Sequence, residues 1–308
     1  MKLTYPLVCT FIIVLLSNGC SENRTKYTHD SQPTLVGSYL DQKPPGLIPE
    51  VFAPGIISTR SWEYGVTFSP DLKEMYYLKE DNKKMWFATY QYKNNHWHGT
   101  TLSPREGQPF LSPNGNIMHL GRRYKERIGN GWSEVKMLQA PFDSIPIMRL
   151  TSSSKDTIFF DEFKEDMTGD IRYSTHESEG YSPPNILDRK ITLGKSFHPF
   201  IAPDESYLIF DSEREGGFGD SDLYISFKQQ DGSWGNPVNL GKDINTDAWE
   251  AAASVTPDGK YLFFHRMISP GDANTLPNVD IFWVDAKVIE NLKKGLTASS
   301  DHHRYKDI

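Results

Sequence analysis

The chain has 308 residues, 13% of them aromatic, with 23 glycines, 20 prolines and a formal net charge of −7. That length makes one large or two ordinary domains, and aromatics mixed with turn formers suit an all-β protein. No basic block stands out, which excludes a nucleic-acid surface, because phosphate binding needs clustered cations.

The first segment is an address. MKLTYPLVCTFIIVLLSNGC opens on Lys2 and continues as an apolar run from Leu7 to Leu16. The run is too short for a hydrocarbon core of ~30 Å. It fits a secretory signal peptide over residues 1–19. Gly19 before Cys20 resembles a bacterial lipobox, in which Cys20 is lipidated and becomes the new N-terminus. Cys9 is the only other cysteine, so the mature chain is expected to hold no internal disulfide. Ser21 fits an outer-membrane address. The expectation is an exported, membrane-anchored lipoprotein on the periplasmic or surface face. Residues 20–46 are polar and aperiodic, as a flexible tether would be.

Residues 47–290 repeat. FSPDLKEMYYL begins at Phe68, LSPNGNIMHL at Leu111, IAPDESYLIF at Ile201 and VTPDGKYLFF at Val255. In each, Pro presets φ, Asp, Asn or Gly tolerates the bend, and alternating apolar residues follow. The interval between Pro113 and Pro203 is double-sized, and a degenerate copy, LTSSSKDTIFF from Leu150, fills it. Later in the units, Asp170, Asp222 and Asp280 each open a further strand. Polar hairpin turns then lead to Trp97, Trp132, Tyr181 and Trp234. These aromatics are expected to pack between neighbouring units. Four antiparallel strands per unit make a propeller blade. IISTRSWEYG near the N-terminus matches DINTDAWEAA in register. That piece is expected to complete the last unit and so remove an exposed sheet edge. The predicted fold is a five-bladed β-propeller rather than a six-bladed one. Residues 291–308 read as a short helical end and a disordered tail.

The run HPFIAPDESYLIFDSEREGGFGDSDLYIS, followed by DGSWGNPVNLG, resembles the WD40-like β-propeller repeat family of bacterial envelope proteins. Related repeats occur in the Tol translocation protein and tricorn protease. The resemblance implies an envelope propeller and leaves its function open, because propellers host binding platforms, lyases and hydrolases alike.

Candidate sites divide by position. The glycine-rich stretch Asp211–Ser226 feeds a strand and no helix, so it is no phosphate cradle. GGFGDSD nearly matches a calcium turn, but Asp220 and Asp222 are each one place off and no tandem copy exists. It reads as a structural loop in which Arg214 pairs with Asp222 or with a neighbouring acid. Seven residues before the turn proline stand Glu63, Glu106 and Glu250, with Ser196 and then His198 in unit four. Carboxylates at one channel mouth could bind a ligand, do acid–base work, or clip blade to blade. No nucleophile elbow or metal-ligand spacing is present, so no catalytic residue, cofactor or metal is assigned, calcium being the one ion weighed. The expected function is a monomeric, lipid-anchored binding module for a glycan or an envelope protein. The alternative is a polysaccharide lyase or glycosidase, whose paired carboxylates would sit at chemically useful separations.

Overall fold

The computed structural model describes residues 35–272 and 275–304, with the side chains of the last helix described through residue 296. The expected signal peptide, Cys20 and most of the tether lie outside the described residues.

Five antiparallel sheets form the blades. Blade one is Glu63–Phe68, Glu74–Asp81, Lys84–Lys93 and His96–Pro104. Blade four is Lys195–Ile201, Tyr207–Glu213, Asp222–Phe227 and the two-residue Val238–Asn239. Blades two and three start at Pro109–Leu111 and Ile147–Ser152. Blade five combines Glu250–Val255, Tyr261–Ser269 and Asn278–Asp285 with Glu50–Val51 from the other end of the chain.

The repeated Ser-Pro-Asp motif has a mechanical cause. Ser69 Oγ accepts from Glu74 N–H at 2.9 Å and donates to Asp71 Oδ1 at 2.6 Å. Ser112 does the same with Ile117 and Asn114, and Thr256 with Tyr261 and Asp258. The hydroxyl thus satisfies the first N–H of the second strand while the acid or amide holds the hydroxyl. Two residues after each proline the backbone is left-handed, at Leu72, Gly115, Glu205 and Gly259. Asp156 takes that place in the unit without proline. The turns and the hairpins lie at what we call the lower end. The connectors between blades lie at the upper end.

Closure follows the internal repeat with one correction. The strand that completes blade five is Glu50–Val51, pairing with Trp283 and Phe282, a few residues before the segment expected to supply it. The matched residues IISTRSWE do another job. Ser58 Oγ bonds both the N–H and the C=O of Ile281, as Asn245 does with Leu223 in blade four. Trp62 then bridges to Val279 as Trp249 bridges to Ser221. Phe52 anchors the closure, fully buried against Phe263 and Trp283.

Both ends of the described chain are more ordered than the sequence suggests. Tyr39 and Leu40, in the expected tether, are buried, and Tyr39 packs edge-on to Phe68 and Tyr261. The last helix runs from Lys287 to Arg304, past Gly295. Ile289 is buried in the core of blades four and five, with Leu292 packed against it. Those contacts nucleate a helix that can then propagate through a glycine costing about 1 kcal/mol. Two of the hairpin aromatics pack between blades as expected, while Trp97 donates to the Gly37 carbonyl and Tyr181 packs on Phe142 and His176. Trp132 Nε1 donates to Tyr76 Oη of the preceding blade at 2.9 Å, and Trp234 sits edge-on to Phe159 of blade three.

Candidate functional site at the channel

Two sets of equivalent positions on the inner strands carry different chemistry. Seven residues before the turn, Glu63 and Glu250 are buried, and each is held by a threonine four residues upstream. Thr246 N–H and Oγ1 bond the two oxygens of Glu250 at 3.0 and 2.6 Å, and Arg266 adds a third bond at 2.7 Å. Thr59 binds Glu63 in the same way, without an arginine. Burial therefore pushes Glu63 up to about 7, against the Thr59 bonds and helped by Asp280 and Glu80. Glu106 is only half-buried and pairs with Lys125 at 2.8 Å. The three glutamates thus sit at equivalent strand entrances, and Glu63 and Glu250 hold the incoming connector loops in place.

Five residues before the turn stand Gly65, Gln108, Arg149, His198 and Ala252. In blades one, three, four and five this position lies in a register slip between the inner and second strands. The bulge re-aims its residue and leaves its N–H outside the ladder. The second strands supply acceptors. Asp161 takes the N–H of Arg149 at 2.8 Å and that of His198 at 2.9 Å, joining blade three to blade four. Asp211 takes Ala252 N–H at 3.0 Å, joining blade four to blade five. Asp211 also holds His198 Nδ1 at 3.0 Å, which leaves Nε2 as the ring nitrogen free of Asp211. The His198 side chain keeps 16% of its surface open.

Arg149 is fully buried and reaches past blade four to bond the Ala253 carbonyl of blade five at 2.8 Å. Its Nε and Nη1 have no partner, and neither do Gln108 Nε2 or the two ring nitrogens of buried His265. The charges at the axis are mutually adjusted. Burial pushes Arg149 down to about 10, against the pull of Asp211 and Asp161. Burial raises Asp161, opposed first by His198. For His198, burial disfavours the cation, but Asp211 and Asp161 outweigh it and raise its pKa. His265 is held well below its ordinary value by burial and by the positive charge of His198 and Arg149. The axis thus sets two acids, Asp161 and Asp211, against Arg149 and His198. His265 stays neutral under a collar formed by Trp249, Tyr64 and Trp62.

Of the residues singled out from sequence, the structure places His198 on the axis. Arg149, Asp161, Asp211 and His265 were missed. Reading the repeat two residues closer to the turn would have found Arg149 beside His198. The loop residues Arg214 and Asp222 do not pair with each other. Arg214 donates to the carbonyls of Lys190 and Ile191 and lies over Phe210 and Tyr224. Asp222 accepts from Phe218 N–H, Gly219 N–H and Asn239 Nδ2. The loop's own amides are close enough to saturate the carboxylate, so the guanidinium turns to the helix end instead. Among the described residues no group of three His, Cys, Asp or Glu has the arrangement to hold a metal.

No family model and no curated protein sequence matches the chain. Among solved structures it is similar to TolB from Acinetobacter baumannii at 12% identity, over 74% of this chain and 58% of that one, with a TM-score of 0.45. A gluconolactonase from Xanthomonas campestris is similar at 10% identity, over 82% of this chain and 97% of that one, with a TM-score of 0.48. A thermostable family-43 glycoside hydrolase is similar at 11% identity, over 74% and 90%, with a TM-score of 0.47. This chain spans little more than half the length of that TolB. At such identities and scores, none of these likenesses bears on what the chain binds or does.

Proposed function

We propose that the chain is a lipid-anchored propeller of the cell envelope, of the WD40-like repeat type, acting as a ligand-binding module through the upper mouth of its channel. One observation carries the reading. The axis holds buried donors that the fold orients and leaves unbonded: Arg149 Nε and Nη1, Gln108 Nε2 and the His265 ring. Each unsatisfied buried group costs about 1–3 kcal/mol. A structural plug would have been cheaper as packed apolar side chains. A polar lattice with open valences fits a site that completes its bonds on a ligand.

The enzymatic alternative has one geometric support, the His198–Asp211 pair, in which Asp211 holds Nδ1 in the manner of an oriented general base. The paired carboxylates a glycosidase needs are engaged differently, because Glu63 and Glu250 hold their threonines. Binding is therefore the primary reading.

The test is a thermal-shift screen of the mature protein against neutral and acidic glycans and envelope extracts. His265→Leu serves as the axial variant, since that histidine is already uncharged. The expected result is a ligand that raises the melting temperature of the wild type and not of the variant. A hit unaffected by His265→Leu, or no hit at all, would sink the axial site.

A further inference from the structure

Beside the axis, the upper face carries a second and more open feature. A groove of about 570 Å³ lies where blade two meets blade three. Its cationic side is Arg105, Arg122 and Arg123, and its apolar side includes Met137 and Phe163, both about two-fifths exposed. Two glycines allow the elements to close on one another here. A Cβ at Gly121 would fall 2.6 Å from the Ile147 carbonyl, and one at Gly107 would fall 2.2 Å from that of Leu120. Gly121, at φ 71°, turns the chain hard against the inner strand of blade three. Arg122 and Arg123 follow it directly.

Their guanidiniums are positioned by main chain and not by carboxylates. Arg122 Nη1 donates to the Asp143 carbonyl, and Arg123 Nη1 to the Glu106 carbonyl at 3.0 Å. Arg105 lies over the Tyr64 ring, 5.7 Å from its centre. The one acidic side chain in the lining, Glu106, is paired with Lys125 at 2.8 Å. Among the described residues, none of the three arginines makes an ion pair. In a chain of net charge −7, three oriented and unpaired guanidiniums in one groove are a concentrated positive field. Arginine forks match planar carboxylates bidentately. The lining has no lysine, hydroxyl or helix N-terminus of the kind that completes a phosphate cradle. Its volume falls in the range of small-ligand sites.

We infer that this groove binds a compact ligand carrying two or more carboxylates, which the arginines grip while Met137 and Phe163 cover the body of the molecule. The inference rests on reading the upper face as the binding face, but its residues are separate from those of the axis.

Full-length mature protein would be titrated calorimetrically at fixed ionic strength with citrate and with trigalacturonate. Maltotriose and inorganic phosphate serve as the uncharged and non-carboxylate probes. The expected result is saturable binding of at least one carboxylate probe, weakened tenfold or more by Arg122→Gln with Arg123→Gln, at unchanged melting temperature. Citrate binding would point to a small acid, and trigalacturonate binding to an acidic sugar chain. If the double variant unfolds, Arg105→Gln, at an exposed residue, supplies the same reading. The proposal is overturned if neither carboxylate binds, if phosphate binds as tightly, or if the variants bind like the wild type. A screened ligand that depends on His265 and not on these arginines would uphold the axial reading while removing this one.

Discussion

Replacing Arg149 with Met tests whether the axial charges hold blades three, four and five together. Asp161 and Asp211 are buried, and their cationic neighbours are Arg149 and His198. Removing the guanidinium leaves the two buried acids with His198 as their remaining basic neighbour. Breaking a buried charge set by removing one partner costs about 3–5 kcal/mol. The Ala253 carbonyl also loses its donor, worth about 1 kcal/mol. Methionine fills the volume, so little of the loss comes from a cavity. Against a domain stability of about 5–15 kcal/mol, the variant should fold and unfold at lower urea. The sign with pH is fixed. Asp161 already has a folded pKa above its unfolded one, and without Arg149 it rises further. The folded variant then takes up a proton as pH falls, which relieves the imbalance by about 1.4 kcal/mol per unit. His198, freed of the opposing guanidinium, also shifts up and acts in the same direction. The difference in urea midpoint between wild type and variant, followed by tryptophan fluorescence, should therefore be large at pH 8 and smaller at pH 5. A cost below about 1 kcal/mol, or an equal cost at both pH values, would refute the charge-lattice argument.

Three further outcomes follow from the same geometry. Phe52→Ala should cost about 3–5 kcal/mol, as for a large buried aromatic, because it empties the closure of blade five; a melting temperature within a degree of wild type would place the closure elsewhere. Glu63→Gln should remove a pH dependence: with its folded pKa near 7, Glu63 lowers stability as pH rises from its unfolded value towards 7. The variant should therefore gain on the wild type above pH 7, while Glu250→Gln, which strands Arg266, should destabilise at pH 5 and pH 8 alike; denaturation curves at the two pH values separate the variants. Cys20→Ser should move the protein from the membrane to the soluble fraction, and unchanged fractionation would remove the lipid anchor from the proposed function.

Much of the architecture was legible because a propeller repeats its chemistry where it repeats its backbone. Ser69, Ser112 and Thr256 recur since each satisfies the same N–H, and Asp71, Asn114 and Asp258 recur since each holds that hydroxyl. The same logic governs the glutamates. Glu63 and Glu250 stand out by repetition, and repetition marks what every blade needs, here a clamp on the connector loop. The axial residues do not repeat. Arg149 lies in the unit without a turn proline, His198 next to Pro199, and their counterparts are Gly65, Gln108 and Ala252. A one-blade difference has no periodicity to reveal it.

The sequence by itself determined the number of blades, the strand order and the completion of the last blade by the N-terminal segment. Those follow from local turn chemistry and alternating burial, which act over a few residues at a time. The tertiary structure decided what the channel is made of. Only closing the ring brings Arg149 to the Ala253 carbonyl of blade five and sets Asp161 and Asp211 between successive blades. These residues come from different units, and their charges act through space and not along the chain.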